Sequence, residues 1–264
     1  MTPYRQGNDR ARARRRPAPP DPRPGDGAGH EWLWGWHTVV AALENPTRGP
    51  AWRLLASPER ARRLEARLGV LADLETLPAA AISQNLPGGA VHQGVALRAA
   101  PIAPTALADL AEPAHGFLVM LDQITDPQNV GAIFRSAAAF GARGLILQDR
   151  HAPPLAGALA KAAAGAVDKI PHAREVNLSR ALERLEAMGW RAIGLEADAP
   201  LALDETLDAA PTVLVLGSEG EGLRRLVREH CDAMTRIPMR GGFDSLNVSA
   251  AAAVAFYELA RSTR

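Results

Sequence analysis

Three segments of the 264-residue chain gather residues able to do chemistry. The first, LDQITDPQNVGAIFRSAAAFGA (121–142), leaves an apolar run at Asp122, breaks at Pro127 and continues as a helix over 130–140. Asn129 has the side chain of an N-cap there. Arg135 falls in the second turn among Val130, Ile133, Phe134, Ala137 and Ala138. An unpaired buried cation is costly, so Arg135 holds a ligand, pairs with a structural carboxylate, or faces water. The second segment, VLVLGSEGEGLRRL, puts Gly217, Gly220 and Gly222 after an apolar strand. Glycines let a backbone approach a ligand closely. Their G-x-x-G-x-G spacing is not the dinucleotide fingerprint, and Glu219 and Glu221 would repel a pyrophosphate, which disfavours a nicotinamide dehydrogenase. The third, IPMRGGFDSLNVSAAAAVAFYELA (237–260), joins a Gly-Gly turn to the polar cluster Asp244, Ser245, Asn247 and Ser249. An alanine-rich helix follows, which Ser245 or Asn247 would cap.

Such loops need a frame. Strands are expected at 117–121, 144–147, 190–195, 212–216 and 233–237, alternating with helices at 130–140, 155–164, 178–188, 222–230 and 248–260. That alternation predicts an α/β fold with a parallel sheet covered on both faces, whose ligands bind at the carboxyl ends of the strands. Upstream lies a smaller α/β unit with a helix at 38–43, a strand at 52–56, a charged helix at 58–68, and apolar pieces at 74–77 and 94–99. The expected organisation is a tail over 1–29, a small domain over 30–103, a linker over 104–114 and a large domain over 115–264.

Composition narrows the class. Hydrophobic residues make up 47% of the chain, enough for a sizeable core, while aromatics at 5% leave aliphatics and alanine to fill it. The net charge of +1 hides an asymmetry, because residues 1–29 carry seven arginines against three aspartates. That tail reads as disordered and solvated, either a loose RNA-binding arm or an inert extension. Cys231 is the lone cysteine, in a helical stretch, and the seven histidines include no H-x-x-x-H pair, so neither disulfide nor metal site is expected. With no apolar run of membrane length and no secretory leader, the expected location is cytoplasmic.

Quoted together, NVGAIFRSAAAFGA, LVLGSEGEGL and IPMRGGFDSLNVSAAAAVAFYE resemble the three motifs of the SpoU/TrmH family of RNA ribose 2′-O-methyltransferases, in the family's order. WGWHTVVAAL and VHQGVAL resemble the edges of its small substrate-binding domain, so only the tail lies outside the resemblance. The resemblance implies a C-terminal α/β-knot (trefoil, SPOUT-type) domain and a small N-terminal α/β RNA-binding domain. It implies S-adenosylmethionine as cofactor and S-adenosylhomocysteine as product. Gly217, Ile237 and Leu246 would be cofactor contacts, with Leu216, Ser218, Met239 and Asn247 close by. Arg135 would clamp the target phosphate and stabilise the developing alkoxide, Glu219 would orient Arg135 or accept the proton, and Asn129 and Asn247 would hold the ribose or the loops. His37 and His92, and Trp32, Trp34 and Trp36, are further RNA-contact candidates, although core anchoring suits the tryptophans better. The resemblance is nearest the bacterial 23S rRNA guanosine branch and implies a homodimer. The alternatives are a tRNA ribose methyltransferase and a catalytically silent RNA-binding assembly factor.

Overall fold

The computed structural model describes residues 29–49, 51–71, 73–218, 220–241 and 245–262. The expected tail lies outside the described residues except for Gly29, as do Glu219 and Asp244.

The N-terminal unit runs β1 (Glu31–Trp34), α1 (Trp36–Glu44), β2 (Ala51–Ala56), α2 (Pro58–Leu68), β3 (Leu74–Thr76), α3 (Ala79–Ser83) and β4 (Val95–Ala99). Its sheet has the order β1-β4-β2-β3, with β2 and β3 parallel and the other pairs antiparallel. Helix α2 shows how sequence sets its own limits. Ser57 Oγ accepts the Arg60 N–H, Pro58 opens the first turn, and Gly69 ends the helix at φ +81°. It buries only Ala61 and Leu64 and leaves an arginine-rich face outward. Trp34 and Trp36 are buried and Trp32 packs against the same core, so these tryptophans anchor the unit. The guanidinium of Arg63 lies 4.3 Å from the Trp36 ring centroid. His92 does not reach a surface for RNA. It is buried between the Ser83 hydroxyl at 2.9 Å and the Gly94 N–H at 3.1 Å.

The larger unit continues with α4 (Leu107–Ala111), β5 (Phe117–Leu121), α5 (Pro127–Ala139), β6 (Leu145–Gln148), α6 (Gly157–Ala163), a 3-10 turn (Ala166–Asp168), β7 (His172–Glu175), α7 (Leu178–Ala187) and β8 (Arg191–Leu195). It closes with β9 (Leu201–Ala202), α8 (Leu203–Thr206), β10 (Thr212–Leu216), α9 (Arg225–Glu229), β11 (Ala233–Arg236) and α10 (Val248–Ser262). The seven-stranded sheet has the order β7-β6-β5-β10-β8-β11-β9, parallel throughout. Residues of α5, α6 and α10 share one core with one face of the sheet, and those of α4, α7 and α9 share the core of the other. The runs FLVML and TVLVL are buried along their whole length, as central parallel strands require.

The structure adds two features that the sequence did not announce and corrects two expectations. Within residues 104–114, expected as a linker, α4 sends Leu107, Leu110 and Ala111 into the larger unit's core, and Trp190 Nε1–H donates to the Ala111 carbonyl. Strand β7, HARE, has too little apolar character to announce itself. The helix expected over 222–230 shrinks to α9, because residues 222–224 are held as a loop. Cys231 consequently lies just past that helix, not within it.

The two units are joined by buried polar contacts. Thr38 Oγ1 donates to the Ala160 carbonyl, and Ala160 itself completes the small unit's core. Arg48, after α1, meets Asp168 at 2.5 Å with both side chains almost wholly buried. Asn45 Nδ2 donates to the same carboxylate, and Arg48 Nη1 donates to the Ala100 carbonyl.

Nearby, His172 is buried and its Nε2 has no hydrogen-bond partner. Burial, with the charges of Arg174 and Arg48, lowers its pKa to about 4. The unfolded chain therefore takes up this proton first, near pH 6.5, and stability falls from there as pH drops toward the folded value. Between pH 7 and pH 5 the loss from this group should be about 2 kcal/mol. Urea titrations at the two pH values will show a smaller drop for His172→Leu than for the unaltered chain. Equal drops would remove His172 from the account.

Candidate active site

The second segment's glycine loop leaves the carboxyl end of β10 and turns tightly. Gly222 N–H donates to the Ser218 carbonyl at 3.0 Å, and Gly220 and Gly222 sit at φ +89° and +67°. Those angles favour glycine over any residue with a Cβ. Gly217 needs its glycine for space instead, since a Cβ there would collide with the Gly222 carbonyl and approach the Leu223 nitrogen to 2.6 Å.

Around this loop lies a cavity of about 490 Å³ at the carboxyl ends of β8, β10 and β11. Leu216, Gly217, Ser218, Ile237, Met239 and Leu246 all line it. Six of the seven positions singled out at or near a cofactor are therefore brought to one place from segments up to thirty residues apart, and Asn247 is the exception. The wall also includes Glu196 and Asp198 from the loop after β8, together with Glu221 and Arg228. Acidic side chains outnumber basic ones, which suits a ligand that is not a polyanion. The size and the exposed backbone edges fit an adenosine-sized group carrying a cationic centre.

Asn129 and Asn247, 118 positions apart in sequence, meet directly, with Asn247 Nδ2 donating to Asn129 Oδ1 at 2.9 Å. Asn247 also caps α10, its Oδ1 accepting the N–H groups of Ser249 and Ala250. Ser245 lies in the cavity wall and takes no part in that cap. Asn129 is not the N-cap of α5. Asp126 fills that role, accepting the Asn129 N–H at 2.7 Å, because Pro127 at the first helical position fixes the start one turn earlier. Arg135 is exposed and has no partner among the described residues, so it faces water. The cavity wall includes none of Asn129, Arg135 and Asn247.

Several residues escaped the sequence reading. Asp122, fully buried at the end of β5, accepts the Arg224 N–H at 2.9 Å and its Nε–H at 2.7 Å. Glu196 accepts the Leu223 N–H and pairs with Arg228 at 3.2 Å. The loop after β8 was findable, since the carboxyl-end rule applies to every strand of a parallel sheet. Burial pushes the Cys231 thiol up to about 12, so it supplies no thiolate. Among the described residues no cluster of His, Cys, Asp or Glu is arranged to hold a metal, and no helix is long and apolar enough to cross a membrane.

Residues 116–257 match the SpoU rRNA Methylase family. An uncharacterized tRNA/rRNA methyltransferase of Mycolicibacterium smegmatis is 44% identical over 179 residues, covering 66% of this chain and 57% of that protein. The chain thus spans less than two thirds of the length of such curated relatives. Among solved structures, the SpoU methyltransferase AviRb of Streptomyces viridochromogenes in complex with the cofactor AdoMet is similar at a TM-score of 0.73. It is 26% identical, over 89% of this chain and 90% of that one. An AdoMet-bound rRNA methyltransferase of Sinorhizobium meliloti has a TM-score of 0.71 and 27% identity, over 88% and 87% of the two chains.

Proposed function

The chain belongs to the SpoU rRNA methylase family, and from that premise we propose that it methylates a ribose 2′-hydroxyl of RNA in the cytoplasm, with a guanosine of 23S ribosomal RNA as target. The observation that carries this reading is the single cavity lined by Leu216, Gly217, Ser218, Ile237, Met239 and Leu246. When bound, S-adenosylmethionine supplies a methyl group on a cationic sulfur and is left as S-adenosylhomocysteine. Backbone groups of Gly217, Ile237 and Leu246 would hold it, as main-chain N–H and C=O groups can read an adenine edge. The acidic excess of the wall favours its positive charge over a dinucleotide.

Arg135 binds the target's phosphate through its planar fork and offsets charge on the 2′-oxygen as its proton leaves. A guanidinium stays protonated, so Arg135 is a clamp and not the base. Glu219 is the proposed orienter of Arg135 or proton acceptor. The Asn129–Asn247 bond ties the first motif's helix to the third motif's loop and sets the ribose-facing edge. Arg135→Ala should lower kcat about a hundredfold while leaving S-adenosylmethionine affinity unchanged. A near-normal rate for Arg135→Lys would sink the bidentate clamp.

The small unit reads RNA in this proposal. Helix α2 presents Arg60, Arg62, Arg63 and Arg67, and Trp52 is 47% exposed beside His30, at 4.0 Å between ring centroids. A cationic surface with an aromatic face suits single-stranded RNA. The partly exposed Val254 and Tyr257 of α10 are the proposed contact with a second copy. The return of α10 onto α5, after β11 is laid down beyond β8, supports the trefoil crossing of the family.

The deciding experiment supplies labelled S-adenosylmethionine with unmodified 23S rRNA or a tRNA pool. Label in 23S rRNA, with one linkage resistant to alkali, is the expected result. Label in tRNA alone would move the substrate, and cofactor binding without transfer to either RNA would point to a ribosomal precursor particle. Absence of cofactor binding would leave a silent RNA-binding scaffold.

A further inference from the structure

Two carboxylates grip consecutive amides at the exit of the cavity's glycine loop. Asp122, at the carboxyl end of β5, accepts the Arg224 N–H through Oδ2 and the Arg224 Nε–H through Oδ1. Glu196, at the carboxyl end of β8, accepts the Leu223 N–H through Oε1 at 3.4 Å and meets Arg228 through Oε2. Strands β5 and β8 are the two neighbours of β10, from which the loop departs. Both acids are shielded from water, Asp122 completely and the Glu196 side chain at 9% exposure.

The loop needs such a grip. Gly217, Gly220 and Gly222 free its backbone to sample many shapes. A ligand read by backbone groups binds well only if those groups are already aligned, since ordering them on binding lowers affinity. We propose that Asp122 and Glu196 are positioning residues for S-adenosylmethionine, preorganising the 217–222 loop by holding the amides of Leu223 and Arg224. This rests on reading the cavity as the S-adenosylmethionine site. Asp122 is absent from the cavity wall, so its effect on the ligand must pass through Arg224.

The test is calorimetric titration of the full chain with S-adenosylmethionine, alongside amide hydrogen exchange of the ligand-free protein. Asp122→Asn and Glu196→Ala should each raise Kd about tenfold, with faster exchange across 217–224. Glu196→Gln, whose amide oxygen still accepts the Leu223 N–H, should keep the slow amide exchange that Glu196→Ala loses. KM for the cofactor should rise with Kd, by a larger factor than any fall in kcat. Should Asp122→Asn fail to fold, the Glu196 pair carries the test alone. Unchanged Kd in Glu196→Ala, or exchange as fast in Glu196→Gln as in Glu196→Ala, would overturn the proposal. A fall in kcat with KM unchanged would overturn it too. If the unaltered chain binds no S-adenosylmethionine, the reading of the cavity fails and this proposal with it.

Discussion

Gly217→Ala should bind S-adenosylmethionine at least about a hundredfold more weakly than the unaltered chain, a cost near 3 kcal/mol. The added methyl group would meet the carbonyl carbon and oxygen of Gly222 and the Leu223 nitrogen, all of them backbone. A flexible side chain could swing aside, but these atoms move only if the loop itself moves. Its exit is fixed by Asp122 and Glu196, so the displacement falls on the cavity side. The core is spared, because Leu216 before it and Leu223 after it keep their packing. Calorimetry should thus report lost affinity alongside a thermal midpoint close to that of the unaltered chain. A Kd within threefold would mean that the cavity opens without the loop's present shape.

The largest effect on stability is expected at the seam between the sheets. Asp168→Ala should cost about 3–5 kcal/mol, because it leaves the Arg48 guanidinium buried without its counter-charge. Arg48 is 2% exposed in its side chain and Asp168 1%, so water offers no substitute. Asn45 loses its acceptor at the same time, leaving a second unpaired donor. Joint replacement with apolar residues of similar volume, Arg48→Met with Asp168→Leu, should recover most of the loss. Urea denaturation of the three chains measures both effects. A loss below 1 kcal/mol for Asp168→Ala would show that the two units hold together without this pair.

Much of this architecture was legible in the residues. The runs FLVML and TVLVL are apolar from end to end, and only a strand buried on both faces asks for that. Helix α2 carried its own stop and start in Ser57, Pro58 and Gly69. Of the cavity's wall, Gly217, Gly220 and Gly222 stood out by their own spacing, while Ile237, Met239 and Leu246 were named only through the family resemblance. What stayed hidden depends on partners distant in sequence. Asp122 looked like a strand end, but its role is set by Arg224, 102 positions away. Glu196 looked like a loop acid, and its partners lie 27 and more positions on. Strand β7 was missed because HARE forms by pairing with β6, not by its own apolar pattern. Asn129 was misread as a cap because Asn and Asp are near-equal caps, and Pro127 decided between them.

The packing of α10 carries a consequence for how the protein is made. Phe256 and Ala252 are wholly buried against Phe117, the first residue of β5, with the two phenyl rings 5.7 Å apart. When Arg236 has just been added to the growing chain, every described strand has been synthesised, yet neither the 237–247 segment nor the helix that covers Phe117 has. The small unit has its four strands by Ala99, and Ala160, which completes its core, follows well before Arg236, so it is free to fold during that interval. The nascent larger unit meanwhile has one face of its sheet covered by α5 and α6 without α10, and a cavity missing a wall. The cavity is therefore walled only once residues 237–251 have been made, after every described strand.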